Sequence, residues 1–245
     1  MYVKDGLYSD FMDVVKHRRA VRGYQTKPVS DEIINSLLES ARWGPSGANS
    51  QPWEFIVVKD PEMTRKIGEI YVDYYDRQYL NTDPGFPVDS KRWMLNVPVY
   101  LIPLVDPRLK RAYPQIEDRT CEEILHHSVG GALLLVWLAA TTFGLATTSA
   151  STFQFHRDRL KELFDIPDGF DIPCTLPIGY PVNYQQTRYR HDKEMIVHEG
   201  TYDRSRWLDD EQFYARMDLV RRSRYRGDGQ LIPAFGGTKS SDIPD

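Results

Sequence analysis

Three arginines crowd the segment HRRAVR: Arg18, Arg19 and Arg22 fall within a few residues of one another at the end of an amphipathic run. Guanidiniums packed this closely make a set of forks suited to a phosphate or another delocalised anion. A basic helix end that complements the helix dipole gives the same pattern. A second stretch, GPSGANSQPW from Gly44 to Trp53, offers the side chains of Ser46, Asn49 and Gln51 beside small residues that let a flat polar ring approach. Turn geometry alone also selects Gly, Pro, Asn and Ser. A third, GLATTSAST from Gly144 to Thr152, follows a long apolar run with small hydroxyl residues and backbone N–H groups, which suits either a fraying helix end or the dry edge of a ligand site.

The elements that must position these segments are readable from periodicity. SDFMDVVKHRRAV predicts a first helix over 10–22, with Phe11, Val14 and Val15 on one face. SDEIINSLLESARWG predicts a second, with Ser30 as N-cap, acids in its first turn and Gly44 stopping it. WEFIVVK reads as a strand, residues 61–93 as helical with an interruption at NTDPGFP, and VPVYLIPLV as a strand that Pro103 would place at an edge or bulge. DRLKELFDIP predicts an amphipathic helix, CTLPIGYP a third strand and KEMIVHEG a fourth.

From Ile124 to Phe155 there is no Asp, Glu, Lys or Arg, and the stretch contains GALLLVWLAA. A membrane span wants about 20 apolar residues. This one opens on His126, His127 and Ser128 and dissolves into TTFGLATTSAST, so a helix buried all round in a core is the better expectation. The two histidines have no carboxylate or cysteine at ligand spacing and read as helix N-terminal polar residues; no metal site is expected.

The chain has 245 residues, 41% hydrophobic and 27% charged, with a formal net charge of −4. That composition is globular and excludes collagen-like and disordered classes. Negative net charge disfavours nucleic acid and anionic membrane as partners, so RRSRYR at 221–226 reads as a solvated helix face. Two cysteines, Cys121 and Cys174, make no disulfide framework, and the N-terminus has neither the basic nor the apolar region of a secretory signal, so a cytoplasmic protein is expected. A single domain over 1–245 is expected: a core over about 11–200, a charged helical extension at 201–232 whose Trp207, Leu208, Phe213, Met217 and Leu219 must pack on something, and a loose tail at 233–245.

Taken in order, RRAVRGYQTKPV, ARWGPSGANSQPWEFIVV, WLAATTFGLATTS, LPIGYP and RYRHDKEMIVH resemble the FMN-dependent nitroreductase superfamily, from about Phe11 to His198. The resemblance implies an α+β fold, a mixed and mainly antiparallel sheet surrounded by helices, in an intertwined homodimer that binds FMN at its interface. It implies that Arg18, with Arg19 beside it, contacts the FMN phosphate, and that Arg22 approaches the pyrimidine edge. Ala20 stands where many members have Ser or Thr, which removes one hydroxyl from the phosphate region. Pro45, Ser46, Gly47, Asn49 and Gln51 match the loop that holds the ribityl chain and ring, often across the dimer. Thr147, Thr148 and Ser149 match the segment beside flavin N5 and O4, and Arg188 and Arg190 the basic pair that closes over the phosphate.

The implied activity is a ping-pong reduction of a small organic acceptor, a nitroaromatic, quinone or enone, at the expense of NAD(P)H. Arg22, Thr148 and Ser149 would be its catalytic residues, through charge stabilisation and hydrogen bonding at the ring. Bacterial nitroreductases carry an acid followed by Gly where this chain has Ser151 and Thr152, so nitro reduction is not specifically supported. Fragmentation of FMN itself, as in the cobalamin-ligand synthase branch, ranks last because that branch keeps an acidic residue where Ala20 stands, and two other readings share the motifs. The hydroxyl-rich GLATTSAST and the PSGAN loop are also similar to the iodotyrosine deiodinase branch, which implies reductive dehalogenation. That branch grips its zwitterionic substrate with Glu, a Tyr four residues on and a later Lys, whereas Glu69 here is followed by Asp73. A flavin-binding sensor or reservoir without turnover is the other, with YVDYYDRQY as a closing lid.

Overall fold

In a computed structural model, residues 7–79, 88–112, 114–183 and 190–223 are described. They fall into two compact units, split after Val182. The first holds a five-stranded sheet. Strand β1 (Trp53–Val58) pairs antiparallel with β2 (Val99–Val105), β2 with β5 (Cys174–Gly179), and β5 with both β3 (Ala146–Thr147) and β4 (Ala150–Ser151). All four pairings are antiparallel, as the expected mainly antiparallel sheet requires. Against expectation, Pro103 lies in a central strand; β5 pairs only with Val99, Tyr100 and Leu101, so at Pro103 the sheet partner is Phe55 of β1 alone and a missing N–H is tolerated.

Two layers cover the sheet. On one face, helix α2 (Asp31–Arg42) and the long α4 (Asp118–Thr142) bury Leu37, Ala41, Val129, Ala132 and Val136 against Leu101 and Leu176. On the other, α3 (Pro61–Tyr79), a 3₁₀ stretch over Val88–Asn96 and α5 (Gln154–Phe164) bury Ile67, Tyr71, Met94 and Leu160 against Tyr100 and Ile102. Helix α2 starts as its sequence dictates: the Ser30 hydroxyl accepts from the Ile33 N–H at 3.4 Å. Gly44 has a different purpose from the one expected. The helix ends at Arg42, and a Cβ at Gly44 would lie 2.9 Å from the Ala132 Cα, so glycine is needed there for close approach to α4.

The first helix, α1 (Leu7–His17), stops short of the predicted Arg22, which leaves Arg18 to Arg22 in extended chain. Helix α4 also departs from expectation. It is long and apolar enough to cross a membrane by length and composition, and it is not buried all round. Cys121, Leu125, Ala132, Val136 and Ala140 face the core, while Gly130 and Leu134 are exposed and Leu138 is half-exposed. Their four-residue spacing makes one open apolar stripe.

Gly68 sets how closely the 88–96 stretch lies on α3. A Cβ there would fall 2.4 Å from the Met94 carbonyl oxygen and 2.9 Å from the Leu95 Cα, atoms of backbone that cannot rotate away. Gly68→Ala is therefore expected to destabilise the protein by about 2–3 kcal/mol despite alanine's better helix propensity. A urea unfolding curve checks it, and an unchanged midpoint would contradict the close contact.

The second unit contains α6 (Lys193–Ile196), a 3₁₀ turn at Arg204–Arg206 and α7 (Asp210–Ser223). KEMIVHEG is thus one helical turn rather than the fourth strand expected. Within the 201–232 stretch, the described helical parts are the Arg204–Arg206 turn and α7, and residues 224–232 lie outside the described residues. His198 stacks on Tyr202 at 4.3 Å, and Arg206 Nη2 reaches the Val197 carbonyl at 3.0 Å and His198 Nδ1 at 2.8 Å.

Candidate functional site

Extended chain after α1 carries the arginines to the sheet. Ala20 forms a parallel bridge with Thr147 of β3. Val21 is buried, and the buried Tyr24 donates its hydroxyl to the Val21 carbonyl at 3.0 Å. Beyond it, Gln25 N–H bonds the Tyr180 carbonyl at 2.8 Å and Val182 N–H the Gly23 carbonyl at 3.1 Å. The basic segment is thereby sewn to the end of β5 and laid beside Thr147 and Thr148. Two stretches far apart in sequence become neighbours through one backbone contact.

Within this seam Arg18 is half-buried, its guanidinium 5.8 Å from the Trp137 ring centroid of α4. Arg19 turns back to the carbonyls of Lys16 and, at 2.9 Å, Arg18. Arg22 is exposed, and its charge bears on Lys91 of the 88–96 stretch. Thr147 and Thr148 are buried while Ser149 is exposed. The Ser149 hydroxyl also bonds the Cys174 thiol, whose burial nonetheless pushes its pKa up to about 11.

The 44–51 loop sits elsewhere on α4. Gly47 N–H donates to the Ser128 hydroxyl at 3.2 Å, and a Cβ on Gly47 would meet Ile124 Cγ2 at 2.3 Å. Ser46 caps the loop from inside, its hydroxyl accepting from Gln51 N–H at 3.1 Å, and the Gln51 amide donates to the Asn49 carbonyl at 3.3 Å. Ala48, Asn49 and Gln51 all have left-handed backbone, with φ of 49°, 55° and 46°. Three such residues in four cost conformational energy, a pattern that concentrates at ligand sites. Pro45, Ala48, Asn49 and Gln51 remain exposed.

From Ser128, which holds this loop, to Trp137, which supports Arg18, α4 advances about 14 Å. The chain thus brings together Arg18 to Arg22 with Thr147 to Ser149, and holds Ser46 to Gln51 one helix segment away. Arg190 is exposed in the second unit, and Arg188 lies outside the described residues.

Sequence reasoning missed Lys91 and His156, and named Tyr75 only within the YVDYYDRQY lid segment. Lys91 and His156 occupy the 71–93 tract and α5, where no family motif directed attention. His156 is fully buried, stacked on Tyr71 at 4.4 Å and close to Tyr74 at 4.5 Å. Its Nδ1 accepts from the Phe153 N–H at 3.0 Å, which assigns the proton to Nε2, and Nε2 has no partner among the described residues. Desolvation, with a contribution from the Lys91 charge, lowers its pKa from 6.5 to about 4. The unfolded chain therefore binds the proton more readily. His156's contribution is complete above pH 6.5 and is lost as pH falls towards 4, as much as about 3 kcal/mol in total. His156→Phe is expected to flatten the decline in urea midpoint between these pH values; an equal decline in both proteins would overturn this.

The nitroreductase family model matches residues 15–180. The chain belongs to the nitroreductase family. It is 30% identical over 193 residues to the iodotyrosine deiodinase of Haliscomenobacter hydrossis, covering 74% of this chain and 82% of that protein. It is 27% identical over 187 residues to a Methanothermobacter thermautotrophicus protein named provisionally as an NADH dehydrogenase/NAD(P)H nitroreductase, covering 76% and 85%. Among solved structures it is similar to an oxidised iodotyrosine deiodinase bound to FMN and 3-iodo-L-tyrosine, with a TM-score of 0.65, 21% identity, and coverage of 78% of this chain and all of that one. The expected α+β architecture is therefore the family's own. In this family member, the α3 positions compared with the deiodinase pattern form surface pairs: Glu69 with Arg65 at 3.0 Å and Asp73 with Arg77 at 2.6 Å.

Proposed function

We propose that this protein is an FMN-dependent oxidoreductase that uses NAD(P)H to reduce a small organic acceptor of the quinone, enone or nitroaromatic type. The observation that carries the reading is the Ala20–Thr147 bridge, which sets a cluster of arginines against a strand of small hydroxyl residues. These residues fit the cofactor. Half-buried Arg18 and Arg19 offer guanidinium N–H groups to a phosphate, exposed Arg22 offers charge to an electron-rich ring edge, and the strained, small-residue loop offers polar groups without bulk. Bound FMN would supply hydride uptake from a nicotinamide and electron delivery to the acceptor. The chain's own part is to hold the phosphate with Arg18 and Arg19, to fix positive charge at Arg22, and to line the ring with Thr147, Thr148 and Ser149.

The active form is proposed to be a homodimer, in which the 45–51 loop of one copy faces the Arg18–Thr147 seam of the other. Support comes from the 14 Å separation of these parts along α4 in one subunit, and from the open Gly130–Leu134–Leu138 stripe between them. Apart from α4's own backbone, none of the described residues lies within 4 Å of a Cβ built on Gly130, so a second backbone has room to approach there. The 30% identity to a deiodinase supports a second reading, reductive dehalogenation at the same site.

Purified protein is expected to be yellow and to bleach anaerobically on mixing with NADH or NADPH. An acceptor panel of quinones, enones, nitroaromatics and halophenols then separates the two reactions. Colourless protein that takes up no added FMN would sink both, and flavin bound but not reduced by either nucleotide would leave a binding protein.

A further inference from the structure

Where α3 meets the 88–96 stretch, basic side chains are paired. Arg65 bonds Glu69 at 3.0 Å, Lys66 bonds Glu62 at 2.7 Å, Arg77 bonds Asp73 at 2.6 Å, and Arg92 leans on Asp76 at 3.7 Å. Lys91 is the exception: among the described residues no carboxylate pairs with it. Its ammonium lies 4.7 Å from the centroid of the Tyr75 ring, and its stem is half-buried. The charged and titratable groups around it come from every neighbouring element. The Arg22 charge bears on it from the basic seam, its own charge bears on His156 of α5, and Tyr75 of α3 holds it by its ring; Asp76, next along α3, lies 3.7 Å from Arg92, and its buried Oδ1 has no hydrogen-bond partner among the described residues.

A cation held by a ring, crowded by a guanidinium and without a counter-ion among the described residues has little to retain its proton. Burial first, and Arg22 second, lower its affinity for that proton below the ordinary lysine value. The neighbouring His156 offers no alternative acid near neutrality, since burial keeps it uncharged. Tyr24, also near Arg22, is buried, and burial holds its proton well above the ordinary phenol range, so among the described titratable groups around Arg22 it is Lys91 whose proton is loosened.

We propose that Lys91 is the general acid of the reaction, giving its proton to the carbonyl oxygen of a quinone or enone acceptor as that acceptor is reduced beside Arg22. The inference rests on the flavin reading above. Bound FMN would supply the two electrons as hydride, and as these add to the acceptor's conjugated system its carbonyl π bond opens. The Lys91 N–H bond breaks as the product O–H bond forms, and the neutral amine regains a proton from water. Tyr75 orients the ammonium through its ring face, and Gly68, by admitting the 88–96 backbone against α3, holds Lys91 within reach of the seam.

The test is the pH dependence of kcat for a quinone, over about pH 7 to 11, in wild type and in Lys91→Arg, which keeps the charge and does not release its proton. Wild type is expected to lose activity on an alkaline limb with a midpoint below 10.5, the unperturbed lysine value. Lys91→Arg is expected to be about 100-fold slower in kcat, with that limb gone. Lys91→Ala is expected to regain rate with added methylammonium. Independently of turnover, ¹³C NMR of the reductively methylated, flavin-free protein is expected to show one resonance, absent in Lys91→Arg, that titrates below the other lysines. Wild-type kcat and alkaline limb in Lys91→Arg, a change confined to KM, or ordinary titration of that resonance would each overturn the proposal. Failure to take up FMN would remove the flavin reading as well; normal uptake and turnover with Lys91→Arg silent would remove this proposal alone.

Discussion

Leu134→Glu is expected to yield a folded monomer that no longer retains FMN. Leu134 is 47% exposed in the middle of α4, the most apolar helix among the described residues, with Gly130 and Leu138 one turn away on either side. In a twofold interface the position occurs twice. Each copy would lose the burial of a leucine, about 1.5–3 kcal/mol, and would place a carboxylate in an apolar contact that costs several more. A combined loss of more than about 5 kcal/mol weakens dimerisation by over a thousandfold. The same face is open in the isolated subunit, so the fold itself should tolerate the change. Light scattering after size exclusion reads the mass, circular dichroism the fold and absorbance the flavin. A variant that stays dimeric and yellow would place the interface elsewhere; a folded monomer that keeps FMN would show that one subunit suffices for the cofactor.

This expectation rests on a feature the sequence only half discloses. The charge-free run announces a long apolar helix, and periodicity places α2, β1, β2 and β5 close to where they occur. What it cannot disclose is which side of α4 stays open, because a helix apolar all round has no polar face to mark the outside. The seam is hidden for a similar reason. GLATTSAST has too few residues between small hydroxyls to look like strand, yet Ala146–Thr147 and Ala150–Ser151 are strands because β5 supplies the partner edge. KEMIVHEG errs the other way: its local alternation suggests a strand, and among the described residues the second unit has no strand to pair with it, so a single helical turn forms. Candidate residues with a family motif, Arg18, Arg22, Ser46 and Thr148, could be named from composition and order. Lys91 and His156 could not, since one lysine among many surface charges and one histidine on a helix become unusual only when their neighbours are known.

Arg18→Ala is expected to weaken FMN binding by about 10- to 100-fold while leaving riboflavin binding unchanged. Charge-assisted hydrogen bonds to a phosphate contribute about 1.5–3 kcal/mol, which sets that range. Riboflavin has the ring and ribityl chain without the phosphate, so it isolates the contact in question. Arg18 also lies over Trp137, 5.8 Å from its ring centroid, and truncation could loosen α4 through lost packing instead. Arg18→Lys separates the causes: it retains a charge and an aliphatic stem, and should recover part of the FMN affinity without the planar fork. Raising salt should diminish the difference between wild type and Arg18→Ala, because a phosphate contact at a half-exposed arginine is screened and a packing defect is not. Titration by quenching of flavin fluorescence, run with both ligands at two salt concentrations, gives all four affinities. Equal losses for FMN and riboflavin would move Arg18 from the phosphate to the scaffold, and the seam bridged by Ala20 and Thr147 would then need another group to hold the anion.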